Sequence, residues 1–585
     1  MGYRGRNLET EGIGVSTQAE GVMGASSGAT APPDAPPVRH EPDDGRVLPP
    51  LRQRLHELLL GPPPGEEVTP YVPAVEPIRP AGPLAKWGVF VVCALVGLVG
   101  AVLIVASAPV WYLAEPSWRL TVPGIPHPGT SSQATSTFIL GLVCMAVAWI
   151  GLIGRAERAP ISRRSRLVAV VLVGIVWCVP VLLGPPMLSH DVYSYASQGE
   201  MASRGIDPTA NGPFAMKNGR WVWQVDSIWR DAPAPYGPVA VEAGKVVVEL
   251  TGHDPASAIW GFRALAMLGV MLGAIGVASI ARSLRQAPAV AVAVGIASPL
   301  VLLHLIGGSH NDALMMGLLA VGVAAFLRKR RWLGMALVIA ATAAKVPAAA
   351  GIVFLAWNWY DDPDTPIWQR VKTTAIAGFG SIAAISVLSV MVGIQVGWMA
   401  ALKSTGSVYS TFSVSTKLGF LTASGLQTIG LHVSSDGTVA LFRLVGIALA
   451  AIICTVLLLR SPRIGMTRAL GISMIVVVLL SPVVWPWYLA AGFALVAASG
   501  MGKWRPSYVV LIVAASAVVF PTSIAPVKSL NPYQHLLTMA VVVLIVCLCY
   551  LAQKLAGYLT VRRARLAPNP VVELPVEPAA LAAAG

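Results

Sequence analysis

The stretch LSHDVYSYASQGE, Leu188 to Glu200, sets a carboxylate, two tyrosines and an amide just beyond a long apolar run. With Ser189 as N-cap after the Pro185–Pro186 break, the pattern predicts a helix starting at His190. Asp191 then sits in the first turn, where the helix dipole favours an ionised carboxylate. Asp191, Tyr195 and Gln198 fall at i, i+4 and i+7, so one face presents a base, a phenol and an amide. The same pattern also fits an acid that only helps to start a helix, with Tyr193 and Tyr195 in an aromatic belt.

Other segments offer partners for that face. GSHNDALM places His310 and Asp312 at the end of an apolar run, and AAKVP puts Lys345 at a break between two short apolar runs. An ionisable residue at membrane depth is a functional candidate by default. Arg263 lies one turn into another apolar run. SPVVWPWY adds Trp485, Trp487 and Tyr488, and PAPYGP adds Tyr236. Aromatic platforms suit sugars, cations suit a phosphate, and a carboxylate at a water-facing mouth suits a hydroxyl acceptor. Taken singly, each of these residues also reads as a snorkelling cation, a belt aromatic or a helix cap.

The elements that must position these residues are membrane spans. The chain has 585 residues, 55% of them hydrophobic and only 12% charged. Soluble globular chains carry roughly twice that charge. The net charge of +14 sits in short basic clusters between apolar runs, as the positive-inside rule produces, which argues against a nucleic-acid partner. All six cysteines lie inside apolar runs without metal or disulfide spacing. No phosphate-binding glycine loop and no dinucleotide fingerprint occurs.

Spans are expected near 86–108, 137–154, 167–183, 258–280, 290–306, 314–327, 374–396, 439–459, 508–524 and 536–551. The runs 333–357 and 470–499 are interrupted, by Lys345 and Pro347 in one and by Pro482 and Pro486 in the other. If each is a hairpin, every basic cluster faces the cytoplasm. If each crosses once, Arg460, Arg463 and Arg468 land outside. Hairpins give about fourteen segments with both termini inside. The loops 109–136, 184–257 and 397–438 (with Ser407) then face outside. Residues 1–85 read as a disordered cytoplasmic tail in which the leucine spacing at 51–60 fits either a membrane-surface helix or a transient one, and 552–585 as a second cytoplasmic tail.

HDVYSYASQGE, PYGP, HNDALM, AAKVP and SPVVWPWY together resemble the actinobacterial polyprenol-phosphate-mannose-dependent α-(1→6)-mannosyltransferases, integral membrane enzymes of the GT-C fold. The likeness covers roughly residues 86–551. It implies an all-α GT-C-type bundle with long extracytoplasmic loops in the plasma membrane and an active site on the outer face. It implies polyprenyl-phosphate-mannose as donor and a lipid-anchored mannan as acceptor, building the α-(1→6)-mannan core of lipomannan and lipoarabinomannan. The long N-terminal tail looks more like the branch that starts that core than the one that extends it. By motif the catalytic acid falls on Asp191, here a single Asp with Glu200 further on. Lys345, Arg263 or His310 would meet the donor phosphate. Tyr193, Tyr195, Gln198, Tyr236, Asp312, Trp485, Trp487 and Tyr488 would line the substrate. The resemblance fixes no cofactor and leaves a divalent metal open. His310 and Asp312 are ligand types for a divalent metal, but two residues do not make a site. The rivals are a GT-C transferase for another polyprenyl-phosphate sugar, such as arabinose, and a lipid-linked sugar flippase, which would hold its polar groups nearer the midplane.

Overall fold

The computed structural model describes residues 82–111, 130–401, 412–518 and 532–566. Most of the expected tail 1–85, the surface helix at 51–60, Ser407 and residues 567–585 lie outside these. Apart from short 3₁₀, π and single-turn segments, the regular structure is α-helical. The order begins α1 (Pro83–Trp111), α2 (Ser131–Arg158), α3 (Arg163–Leu183), α4 (Asp191–Ser203), α5 (Pro238–Leu250), α6 (Pro255–Ser283) and α7 (Pro288–Gly295). It continues with α8 (Asp312–Leu327), α9 (Arg331–Ala344), α10 (Ala349–Trp357), α11 (Ile367–Val392) and α12 (Val414–Thr428). It ends with α13 (Ser435–Ile464), α14 (Met466–Leu480), α15 (Leu489–Ser499), α16 (Arg505–Ser516) and α17 (Pro532–Leu566).

Among the described residues, seven helices are long and apolar enough to cross a bilayer, or eight if one bent pair is a single span. This is a multi-pass membrane protein. The expected span at 290–306 is not one helix. Pro299 follows α7 at a break, and the chain then runs through a π-helix, Val301–Gly307, before turning 116° into α8. Proline cannot donate to the preceding turn and clashes with it, which ends the regular α-helix there. Single turns of π-helix are rare and cluster at functional sites.

Both interrupted runs fold back. Lys329 and Arg331, at the start of α9, pair with Asp361, just beyond the end of α10. Arg468, near the start of α14, donates to the carbonyl of Gly500, just beyond α15, at 3.0 Å. The two hairpins share one end of the bundle. Arg463 pairs with Asp364 at 2.7 Å, and the Asn358 amide donates to Ser461 Oγ at 2.7 Å. At the α2–α16 junction Arg505 forks onto Glu157 at 2.9 and 3.1 Å. The turns at Lys345 and at Ser481–Trp485 therefore lie at the other end of their hairpins.

Helix packing sets the position of the turn before α8. Gly269 of α6 lies flat against α8, and a Cβ there would sit 2.3 Å from the carbonyl carbon of Ala313. Small residues let membrane helices approach this closely. The contact fixes Asp312, the first residue of α8, relative to α6. The described parts of the loops 184–257 and 397–438 include a helix each that the sequence pattern did not announce: α5 in the first and α12 in the second.

Candidate active site

Two irregular turns bring the first groups together. Beyond α3 the chain passes Leu188, whose φ of 66° is left-handed. Beyond the π-helix it passes Ser309, with φ of 52°. Non-glycine residues in this region carry strain of about 1–2 kcal/mol and gather at functional sites. The backbone N–H of Met187 donates to the carbonyl of Gly307 at 3.2 Å, tying one turn to the other. Helix α4 starts at Asp191 with His190 as its cap, not with Ser189 as expected. Ser189 instead turns its hydroxyl forward two residues and accepts the N–H of Asp191 at 3.1 Å.

The i, i+4 pairing expected on α4 is present. The Tyr195 hydroxyl lies 3.5 Å from Asp191 Oδ2 and 3.2 Å from His310 Nδ1. His310 Nδ1 is itself 3.6 Å from Asp191 Oδ2. His310 is fully buried, its ring stacked on Trp487 at 3.9 Å between centroids. Trp487 stacks in turn on Trp485 at 5.5 Å. The imidazole is thus held flat, with Nδ1 facing the carboxylate.

Lys345 caps the other side. Its Nζ lies 2.5 Å from Asp312 Oδ2, and both side chains are almost wholly buried. The ammonium also sits over the rings of Tyr488, at 4.6 Å, and Tyr236, at 5.6 Å. Tyr236 meets Tyr195 edge-on at 5.4 Å. Gln198 lines a narrow cavity with Tyr195, Tyr236 and Asn311. Asp191, Tyr195, Gln198, Tyr236, His310, Asp312, Lys345, Trp485, Trp487 and Tyr488 therefore form one constellation.

Two candidates lie apart from it. Tyr193 points to another face of α4, edge-on to His190. Arg263 donates to the Leu182 carbonyl at 2.5 Å and stacks over Trp260 at 5.1 Å. Glu200 is also elsewhere, buried between Arg204 (2.6 Å) and His253 (2.7 Å). Two further residues join the site without having been singled out: His304, whose ring lies 5.9 Å from Trp487, and Asn311. The motif HNDALM already contained Asn311. His304 looked like one more residue of an apolar run.

Burial pushes the Asp191 carboxyl up to about 6, with Lys345 and the Ser189 bond pulling it down and Asp312 adding to the rise. Burial, with nearby acidic groups, likewise raises Tyr195 and Tyr236 well above the ordinary phenol, so both are hydrogen-bond donors at neutral pH. A carboxylate titrating near 6 is matched to accepting a proton at cellular pH. Among the described residues, no group of three His, Cys, Asp or Glu side chains converges to hold a metal ion.

The class these features define is a multi-pass membrane protein with an aromatic-walled site around a partly exposed carboxylate. Residues 94–361 match the family model described as Alpha-(1->6)-mannopyranosyltransferase, N-terminal domain, and residues 415–552 match the MptB C-terminal domain. Alpha-(1->6)-mannopyranosyltransferase A of Mycobacterium tuberculosis is 30% identical over 61% of this chain and 69% of its own. Alpha-(1->6)-mannopyranosyltransferase B of Corynebacterium glutamicum is 28% identical over 61% of this chain and 64% of its own. A probable alpha-(1->6)-mannopyranosyltransferase of Mycolicibacterium smegmatis is 30% identical over 68% of this chain and 76% of its own. No solved structure matches. The chain belongs to the alpha-(1->6)-mannopyranosyltransferase family.

Proposed function

We propose that this chain is an inverting glycosyltransferase. It moves mannose from polyprenyl-phosphate-mannose to the 6-hydroxyl of a lipid-anchored mannan, building the α-(1→6)-mannan core of lipomannan and lipoarabinomannan. Asp191 takes the proton of the acceptor hydroxyl as its oxygen bonds to the anomeric carbon. The bond from that carbon to the phosphate oxygen breaks on the opposite face, and the electron pair leaves with the polyprenyl phosphate. One displacement turns a β-linked donor into an α-linked product, with no covalent enzyme intermediate.

The observation that carries this reading is the buried cluster of Asp191, His310, Tyr195 and the Lys345–Asp312 pair beneath an aromatic wall. Its members up to Lys345 fall inside the matched segment 94–361. His310 and Tyr195 orient the base, and Lys345 balances charge on the departing phosphate. Tyr236 and Tyr488 border the sugar site, while Trp485 and Trp487, stacked on one another and on His310, hold the imidazole in place. Arg263 stands outside this set and braces the end of α3.

We place the bundle in the GT-C class, with about fourteen segments once the short helices of the two hairpins are counted. The shared end of the hairpins, rich in Arg and Lys, faces the cytoplasm, and Asp191 faces outward. Residues 184–257 are then the extracytoplasmic catalytic loop and 397–438 a second loop beside it. A purified sample given labelled polyprenyl-phosphate-mannose and a short α-mannan should yield a product one residue longer with a new α-(1→6) linkage. Transfer only from a different polyprenyl-phosphate sugar, or lipid movement without transfer, would refute the proposal.

A further inference from the structure

The loop 184–257 carries an exposed indole that the site described above does not use. Trp223 is 64% exposed, whereas Trp221, Trp485 and Trp487 are each 5% exposed or less. An exposed side chain is ordinarily free to swing, but this one is held. The Arg230 guanidinium lies over its ring at 5.0 Å and is itself fixed by donating to the carbonyls of Trp223, at 2.8 Å, and Val225, at 2.9 Å. Phe214, also exposed, meets the ring edge-on at 6.1 Å, and its backbone N–H donates to the Arg230 carbonyl at 2.9 Å. The indole lies against Gly219, where a Cβ would come within 2.5 Å of the ring nitrogen.

The support beneath the ring is the core around α4. Trp221, Val222 and Val225, on either side of Trp223 in the chain, are buried in one cluster with Val192 and Tyr195. The helix that carries Asp191 and Tyr195 therefore also fixes the exposed ring. The next turn reaches the site itself, because Asp226 is near enough to Asp191 and His190 for its charge to act on both. We propose that Trp223, with Phe214 and Arg230, is a second acceptor subsite that stacks a mannose unit of the acceptor chain behind the one that reacts, a step that rests on the transferase reading above.

Chemistry selects a sugar chain over the other ligands of an exposed indole. A pyranose presents a face of C–H bonds that packs on an aromatic ring, while its hydroxyls bond to charged neighbours. A ring already held in place loses little freedom when the sugar arrives. The segments around Trp223 carry Lys217, Arg220 and Arg230 against Asp226, Asp231 and Asp254, three charges of each sign. That balance suits a neutral, polyhydroxylated chain rather than an anionic lipid headgroup. The same charges keep hydrocarbon away: Arg220 pairs with Asp254, the N-cap of α6, and an ion pair is expensive in the bilayer core.

The reaction itself separates donor from acceptor. The donor brings one sugar, and that sugar reacts. Only the acceptor brings further sugars, which must lead away from the reaction centre across the loop surface. A fixed ring three residues before Asp226 stands on such a path. A stacking face does not read individual hydroxyls, so it holds the chain equally well at each round of extension.

The test uses full-length protein in lipid nanodiscs with polyprenyl-phosphate-mannose and two acceptors, α-(1→6)-mannobiose and α-(1→6)-mannohexaose. Wild type should show a KM about tenfold lower for the hexaose, the gain from one stacked ring. Trp223→Ala removes the ring, and Gly219→Ala pushes the indole off its seat while keeping it in the chain. In both, the two KM values should become nearly equal, and Trp223→Phe should keep part of the difference. Equal KM values in wild type, or an unchanged ratio in Trp223→Ala, would overturn the proposal. A lower melting temperature with the ratio kept would make Trp223 a structural or interfacial aromatic instead. Saturation-transfer NMR with free mannohexaose needs no turnover and reads binding by itself. Signals lost in Trp223→Ala support the subsite even if wild type transfers no mannose, in which case the transferase reading is the one that fails. Equal signals in wild type and Trp223→Ala would overturn the subsite.

Discussion

Replacing Asp191 by Asn should produce a protein that is inactive and more stable. The change is nearly isosteric and removes a base, which typically costs about 10²–10⁴ in rate. The stability effect follows from the raised titration. The carboxyl moves from 3.8 to about 6 on folding, so the folded state favours its neutral form. That preference is fully expressed below pH 3.8 and is lost as pH rises through about 6. Above this range the ionised carboxylate costs at most about 3 kcal/mol, from roughly two pKa units at 1.36 kcal/mol each. The side chain is 24% exposed, which keeps the true figure at or below that bound. An amide is neutral at every pH. The gain of Asp191→Asn over wild type should thus be at most about 3 kcal/mol near pH 8 and at most about 1 kcal/mol near pH 4.5, larger at the higher pH. Thermal unfolding of both proteins in the same detergent at the two pH values measures it, beside a transfer assay. Wild-type transfer should fall as pH drops through about 6. Near-normal turnover in the variant would remove Asp191 from the chemistry. A variant that melts lower near pH 8 than near pH 4.5, relative to wild type, would refute the burial argument.

Lys345→Met should raise the donor KM more than the acceptor KM and destabilise the fold, because losing one partner of a buried pair costs about 3–5 kcal/mol. Adding Asp312→Asn should restore the melting temperature without restoring the donor KM; a restored KM would show that Lys345 is purely structural. His310→Phe keeps a ring against Trp487 and loses Nδ1, so kcat should fall about tenfold or more at similar KM and melting temperature. Unchanged kcat would show that the imidazole only packs. In a background without native cysteines, Ser227→Cys should react with an impermeant thiol reagent on intact cells, and Asp364→Cys only after the membrane is opened. The reverse pattern would invert the orientation.

The sequence made the site legible as motifs and left its geometry dark. Asp191 and Tyr195 could be paired because i, i+4 spacing on a helix fixes proximity. His310, Lys345 and Trp487 could be assigned to one end of the bundle only through the topology, which rested on where Arg460, Arg463 and Arg468 must lie. That His310 faces Asp191, and that Lys345 is already matched by Asp312, depends on a break at Pro299 and a π-helical turn. Those features have no periodicity to read. Arg263 resembled a phosphate ligand because an arginine in an apolar run is expensive, yet it serves the Leu182 carbonyl. Helix α5 could have been read, since Glu242, Lys245 and Glu249 fall at i, i+3 and i+7 and leave the opposite face apolar to pack on α4 and α6, but it lies inside a long loop between spans where no helix was sought.

The charges in the site explain why breaks in the spans meet there. Irregular backbone at membrane depth is tolerated only where protein or a water-filled cavity satisfies it. The turns at Leu188–His190, Gly307–Asn311, Lys345 and Ser481–Trp485 meet that condition by facing one another. Between them they hold one carboxylate without a formal counter-ion, Asp191, beside a matched pair. During transfer the acceptor's proton goes to Asp191 and neutralises it, while the leaving phosphate gains one negative charge. The total charge of the site does not change; a unit of negative charge moves from Asp191 to the phosphate. Lys345 need not neutralise anything outright. It lowers the barrier if it lies closer to the departing oxygen than to Asp191, so that its attraction grows along the reaction. Asp312 then holds the ammonium in place at 2.5 Å instead of competing for the reaction, and the buried pair is a fixed dipole aimed at the charge that develops.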